Sequence, residues 1–201
     1  FGNIATFSFY GNKIITTGEG GMVVTNDDKL AAMVRLLKGQ GMDADRRYWF
    51  PIIGYNYRMT NIEAAIGLAQ LEKAEWHISR RREIGFWYKE RLSEIPGISV
   101  QPERPWAKNV YWMNSLVFTE SWHFSRDETM QILADNGIET RPFFYPMHIL
   151  PMYQNMAKGR QYPIADYLSA RGINLPSSAK LNENDVDYIC NQLIRLSNKK
   201  Y

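Results

Sequence analysis

The stretch Ser8-Phe-Tyr-Gly-Asn-Lys13-Ile-Ile-Thr-Thr-Gly18-Glu-Gly-Gly21 decides how the rest of this sequence is read. It grows out of an apolar run, Ile4-Ala-Thr-Phe-Ser-Phe-Tyr10, rich enough in β-formers to read as a strand. A break at Gly11-Asn12 delivers Lys13, and Met22-Val-Val-Thr25 reads as a second strand. A lysine that is partly buried or near another cation becomes a nucleophile, and such lysines form Schiff bases with carbonyl compounds. Glycines at 18, 20 and 21 let the backbone turn tightly and approach a ligand closely. Ser8, five residues before the lysine, can present a hydroxyl to a phosphate oxygen at the same mouth. Taken by residue type alone, a solvated lysine beside an ordinary glycine turn is the commoner meaning of such a string. The glycine spacing fits neither the Walker loop nor the dinucleotide fingerprint.

Outward from this stretch, Asp27 or Asp28 can cap a helix over about 29–38, with Leu30, Met33, Val34 and Leu37 on one face and Gly39 and Gly41 ending it. Residues 42–59 show no period and form a long loop rich in Tyr, Trp and Arg, of a length usually reserved for function or partner contact. Thr60-Asn-Ile-Glu63 fits a capping box that opens a helix with Ile62, Ala65, Ile66 and Ala69 turned inward. Helical character runs on, with a bend, to about Ser93, where Pro96-Gly97 stops it. The remainder reads as a small α+β unit: strands at 98–101, 111–118 and 139–144, a helix opened by the box Ser125-Arg-Asp-Glu128, a helix over about 163–170, and a last helix over about 183–197. That last helix places Val186, Ile189, Cys190 and Leu193 on its buried stripe. The piece before residue 60 is too small for a core of its own and needs more chain to pack against.

Composition excludes several classes. A net charge of +3 is too small to imply a nucleic-acid partner, and Arg80-Arg81-Arg82, the tightest basic run, sits among Glu75, Glu83 and Glu90 as a solvated, ion-paired helix face. One cysteine, Cys190, permits no intramolecular disulfide, which leans toward a reducing, cytoplasmic setting. Its place on the apolar stripe marks it as a small core residue and not a nucleophile. No apolar run is long enough to cross a membrane. His77, beside Trp76, reads as structural, and His123 as exposed; with His148 and Cys190 they offer no metal-ligand spacing. The opening Phe1-Gly2-Asn3 has neither a starting Met nor a basic leader and suggests an interior fragment.

The lysine string as a whole closely resembles the cofactor-lysine segment of the DegT/DnrJ/EryC1/StrS family, in which a Ser is followed five residues on by the Schiff-base Lys and then by Gly-Glu-Gly-Gly. A second segment, Gly54-Tyr-Asn-Tyr-Arg-Met-Thr-Asn-Ile-Glu-Ala-Ala-Ile-Gly-Leu-Ala-Gln-Leu71, is similar to that family's second signature, and Arg141-Pro-Phe-Phe-Tyr-Pro-Met-His148 is a further local match. The resemblance implies an α/β, fold-type-I transferase dependent on pyridoxal 5'-phosphate (PLP). Residues 1–59 would be the C-terminal part of the large PLP-binding domain, 60–95 linking helices, and 96–201 the small C-terminal α+β domain. It implies Lys13 as the catalytic, cofactor-binding residue, and Ser8 with Asn56 as phosphate ligands, Asn56 reaching across a homodimer to the neighbouring site. Arg58, in the same inter-subunit loop, and His148 are the implied substrate contacts. From the residues alone, Arg58 could equally pair with a local carboxylate, and His148 could be a packed histidine.

The implied reaction moves an amino group from glutamate to a nucleotide-linked 4-keto-6-deoxy sugar, with Lys13 shuttling the proton, as in lipopolysaccharide O-antigen biosynthesis. Lys38-Gly-Gln-Gly-Met42 and Arg46-Arg-Tyr-Trp-Phe-Pro51 point to the subgroup whose sugar is GDP-linked. A related dehydratase carries His in place of the lysine, so Lys13 argues for transamination. The family's acidic partner for the cofactor ring, its stacking aromatic and its Gly-Thr/Ser phosphate loop precede the lysine and are expected in an upstream half. A chain lacking that half is expected to be inactive. The alternative is a non-catalytic remnant or dimerisation fragment.

Overall fold

The β-branched and aromatic residues after Asn3 form strand β1, Ala5–Ser8, which pairs antiparallel with β2, Gly21–Val24. The register sets Ala5 opposite Val24 and Ser8 opposite Gly21. In this computed structural model, which describes residues 2–199, chain contacts divide the protein into one unit ending at His77 and a second beginning at Ile78. Phe1, Lys200 and Tyr201, the outermost residues of the expected domains, lie outside the described residues.

In the first unit Asp27 is the cap of helix α1, Asp28–Lys38, its carboxylate accepting from the amides of Lys29 and Leu30 at 2.8 and 3.1 Å. The chain reverses after α1 through positive φ at Gln40 and Gly41. Thr60 and Glu63 form both arms of the expected box at the start of helix α2, Asn61–Leu71. The expected continuous helix is instead two, because α2 ends before helix α3, Ala74–Leu92, begins. The expected inward face of α2 is corrected: Ile62 is 76% exposed, and Ala65, Ile66 and Ala69 are exposed with it. Both faces of the β1–β2 ribbon are exposed as well. Helix and strand patterns here are sound, but among the described residues the first unit buries no apolar side chain with them; every buried apolar side chain lies between Ile84 and Leu196.

The second unit holds that core. Its four-stranded antiparallel sheet has the order β3 (Ile98–Val100), β4 (Asn114–Phe118), β6 (Gly172–Leu175), β5 (Arg141–Pro142). Leu116 and Phe118 of β4 point into the core with Ile173 and Leu175 of β6, against Ile84, Tyr88 and Leu92 of α3. Helix α4 (Arg126–Asp135) contributes Leu133, and helix α7 (Glu183–Ser197) contributes Val186, Ile189, Cys190 and Leu193. Burying each large apolar side chain contributes about 1.5–3 kcal/mol. Trp122 stacks on Phe118 with ring centres 4.8 Å apart and donates its indole N–H to Thr129 Oγ1 at 2.9 Å, so a polar tip is carried into the core with its partner. Burial raises the Cys190 thiol to about 12, which leaves it an inert core residue. A 3₁₀ turn, Met147–Ile149, a short helix α5, Gln154–Ala157, and helix α6, Pro163–Arg171, complete the unit.

The sequence reading changes at four points here. The strand expected at 111–118 starts only at Asn114, because Tyr111 adopts φ +45°, outside the β region. The strand expected at 139–144 shrinks to Arg141–Pro142, since a proline without an N–H ends up on an edge. β6 was not expected at all. The three arginines keep the expected ion pair between Arg80 and Glu83, but they are half-buried and not a solvated face. They fan out around α3: Arg80 donates to the Ala179 and Leu181 carbonyls, Arg81 to those of Trp112 (3.0 Å) and Ser177 (2.8 Å), and Arg82 to Glu103 (2.7 Å) and the Asn109 carbonyl. Successive helix positions lie about 100° apart, so consecutive arginines must serve different neighbours.

Candidate active site

Ser8 closes β1, and the chain from Phe9 to Gly20 is an excursion that returns to the same strand pair. It is fastened at its neck, where Phe9 N donates to Gly20 O and Thr17 N to Phe9 O, both at 2.9 Å. Thr16 Oγ1 donates to the same Phe9 carbonyl at 3.0 Å. Within the excursion Lys13 N donates to Tyr10 O at 2.9 Å, fixing a tight turn whose side chain is half-buried. Ser8 is exposed, and its oxygen accepts from Tyr10 N at 3.4 Å. A hydroxyl that accepts from the backbone keeps its own proton for another acceptor.

Thr17, only 4% exposed, ties this loop down. Its hydroxyl donates to the Glu19 carbonyl, and its methyl faces Gly67 of α2, where a Cβ would lie 2.8 Å away. At Gly20, with φ +134°, a Cβ would lie 2.8 Å from Thr17 Oγ1 and 3.0 Å from Met59 Cε. Glycine is required there both for the backbone angle and for the space. The Lys13 loop, the middle of α2 and the segment just before it are therefore packed together inside the first unit. Sequence reasoning missed Thr17; its position directly before Gly18-Glu-Gly-Gly was the one available signal.

The segment before α2 runs beside the end of α1. Gln40 N donates to Tyr55 O at 2.9 Å, Tyr55 N to Leu37 O at 2.7 Å, and Tyr57 N to Lys38 O at 3.0 Å. The Tyr55 and Tyr57 rings stack with centres 5.2 Å apart, so alternation puts Asn56 and Arg58 together on the opposite side. Both are exposed, and among the described residues no carboxylate forms an ion pair with Arg58. Ser8, Lys13, Asn56 and Arg58 thus all belong to the first unit. His148 belongs to the second, in the 3₁₀ turn, where Nε2 lies 2.9 Å from Asp166 Oδ1 and the ring packs 4.8 Å from that of Tyr162. Among the described residues no group of His, Cys, Asp or Glu could hold a metal ion, and no helix is long and apolar enough to cross a membrane.

The donor set fits a phosphorylated aldehyde. A half-buried primary amine is held on a fastened turn, and a hydroxyl with a proton to donate stands at the strand end. Gly18, with φ +84° and no atom within 4 Å of its Cβ position, leaves backbone open to a ligand's approach.

Residues 1–194 match the DegT/DnrJ/EryC1/StrS aminotransferase family, and the chain belongs to it. It is 50% identical over 189 residues to the GDP-perosamine synthase of Caulobacter vibrioides, covering 94% of this chain and 51% of that protein. It is 51% identical over 193 residues to that of Escherichia coli O157:H7, covering 96% and 51%. Among solved structures, S. venezuelae DesV in complex with a ketimine intermediate superposes with a TM-score of 0.89 at 26% identity, covering all of this chain and 53% of that one. Helicobacter pylori PseC, an aminotransferase of pseudaminic acid biosynthesis, gives 0.88 at 26%, covering 98% and 53%. The chain spans about half the length of the curated relatives it matches.

Proposed function

We propose that this chain supplies the lysine-bearing part of a PLP-dependent aminotransferase that carries an amino group from glutamate to a nucleotide-linked 4-keto-6-deoxy sugar. The observation that carries the reading is the Lys13 loop: an amine on a turn clasped by Phe9, Thr17 and Gly20, seated by Thr17 and Gly67 beside the segment bearing Asn56 and Arg58. The 50% and 51% identity to two GDP-perosamine synthases supports a GDP-linked sugar as the acceptor.

In this reading Lys13 holds the aldehyde carbon of PLP, Ser8 donates to its phosphate, and Asn56 serves the phosphate of a neighbouring subunit. When bound, PLP supplies the electron sink. Lys13 would do the remaining work of the chain: its amine would take a proton from the amino donor's α-carbon and return one at the acceptor's amination carbon. Arg58 and His148 orient the acceptor.

The exposed β1–β2 ribbon supports an upstream segment that covers it, consistent with relatives twice as long. Ile62, Ile66, Leu68 and Leu71 of α2, 45–76% exposed and spread around the helix, support a second copy of the chain as a further cover. Isolated apolar groups of this size are ordinary on surfaces, but a helix apolar on several sides is not. The double variant Ile62→Glu, Ile66→Glu is expected to convert a dimer to a monomer by light scattering on a sizing column. A wild type already monomeric would refute the dimer.

The assay that tests the reading feeds the native gene product glutamate and a GDP-4-keto-6-deoxy sugar. Formation of 2-oxoglutarate with the amino sugar is expected. No transfer to any nucleotide-linked keto-sugar would sink it.

A further inference from the structure

The second unit contains a cleft of about 520 Å³ that none of the residues above accounts for. Its volume is that of a small-ligand site. One wall is the segment Asn109–Met113, the other Phe143 and Phe144, and the floor Ser115 of β4 with Asn174 of β6. Both walls are fixed before any ligand arrives. Arg82 and Glu103 clasp Asn109, whose amide donates to Glu103 at 2.8 Å, and Arg81 holds the Trp112 carbonyl at 3.0 Å. Opposite, the Phe143 ring lies so close to Gly172 that a Cβ there would come within 2.3 Å, and Ser169 Oγ donates to the Phe144 carbonyl at 3.0 Å.

The polar groups are fixed in the same way. Asn109 Oδ1 accepts from Tyr111 N at 2.9 Å, and Asn174 Oδ1 accepts from Ser115 Oγ at 2.7 Å. With each amide oxygen engaged, the amide NH₂ groups are left for an acceptor. Gln101, also in the lining, has a buried side-chain oxygen that accepts no hydrogen bond among the described residues. Its last torsion is soft, so a ligand that donates can draw it round. Among the described residues the lining includes no Asp, Glu, Lys, Arg or His. A diphosphate or a free amino acid would there bury its charge without a counterion, a large cost. What fits is neutral, with apolar flanks for Trp112, Phe143 and Leu168 and a rim of groups that both donate and accept. Hydroxyls do both.

We propose that this cleft receives the uncharged, hydroxyl-bearing hexosyl ring of the acceptor, making Phe144 and Asn174 specificity-determining residues. The assignment rests on the aminotransferase reading for the identity of that ring. The test uses the native gene product and the variants Phe144→Ala and Asn174→Asp, with the two half-reactions followed separately. Phe144 is 79% exposed, so its truncation leaves the fold intact even if Asn174→Asp disturbs β6. The expected result is a rise of about tenfold in the half-saturating concentration of the GDP-linked keto-sugar, the loss of one good contact. Half-saturation by glutamate and inhibition by GDP stay unchanged within about twofold on the same scale. Inhibition by GDP weakening in step would place the base in the cleft and overturn the proposal. Equal losses in both half-reactions, or none in either, would overturn it too. Should the wild type transfer no amino group, calorimetry with GDP-mannose separates the two claims. Tight binding weakened by Phe144→Ala keeps the cleft while the aminotransferase reading falls, and binding unaffected by the variant removes the cleft.

Discussion

Replacing Lys13 by alanine in the native gene product is expected to lower amino transfer by about 10⁴-fold or more, and replacement by arginine to do the same. Proton transfer by one positioned group is worth about 10²–10⁴-fold, and loss of a covalent nucleophile adds to it. The arginine variant makes the experiment decisive. Arginine keeps a long, cationic side chain on the turn closed by Tyr10 and Lys13, but its guanidinium does not release a proton at any working pH. If Lys13 is only a solvated charge beside a glycine turn, Lys13→Arg retains nearly full activity. If its amine must attach and move protons, Arg and Ala are equally dead, and a small added amine restores part of the Ala variant's rate. Borohydride trapping with peptide mapping gives a second readout: wild type is labelled at Lys13 and both variants are not. Gly20→Ala addresses the loop in place of the amine. Its Cβ would press on Thr17 Oγ1 and Met59, so its losses would come from displacement of the turn.

The elements that sequence reading found share a physical cause: their signals are local. The boxes Thr60–Glu63 and Ser125–Glu128 form with both arms because a hydroxyl and a carboxylate three residues apart satisfy each other without help from distant chain. The apolar stripe of α7 likewise states its own buried face. β6 had no such signal. Gly172-Ile-Asn-Leu175 is four residues long, follows α6 without a linker, and is a strand only because β4 and β5 flank it. The site divides in the same way. Ser8, Lys13 and the glycines could be read from one string, whereas Thr17 acquires its importance from Gly67, fifty residues later. The inward face assigned to α2 shows the converse error: an apolar pattern tells which side seeks cover, not whether this unit supplies it.

Arg81 is where a misread charge run leads to a measurable difference. An exposed arginine on an ion-paired helix face changes stability by less than about 0.5 kcal/mol when replaced. Arg81 instead spans the Trp112 and Ser177 carbonyls, and burial pulls its guanidinium below the ordinary arginine value without removing the charge. Hydrogen bonds from a charged donor contribute about 1.5–3 kcal/mol each, partly offset here because alanine also removes the cost of sequestering the cation. Arg81→Ala is therefore expected to destabilise the protein by about 2 kcal/mol, read as a lower midpoint in urea. Arg81→Lys, which can reach one carbonyl but not both, falls between. A change indistinguishable from zero would return Arg81 to the solvated face. The same substitution carries a functional consequence, because Trp112, whose carbonyl Arg81 holds, lines the cleft. Freed from Arg81, that wall loses its fixed position, so half-saturation by the sugar should rise while half-saturation by glutamate does not. A stability loss without that change would make Arg81 a brace for the fold alone; both together make it a positioning residue for the acceptor.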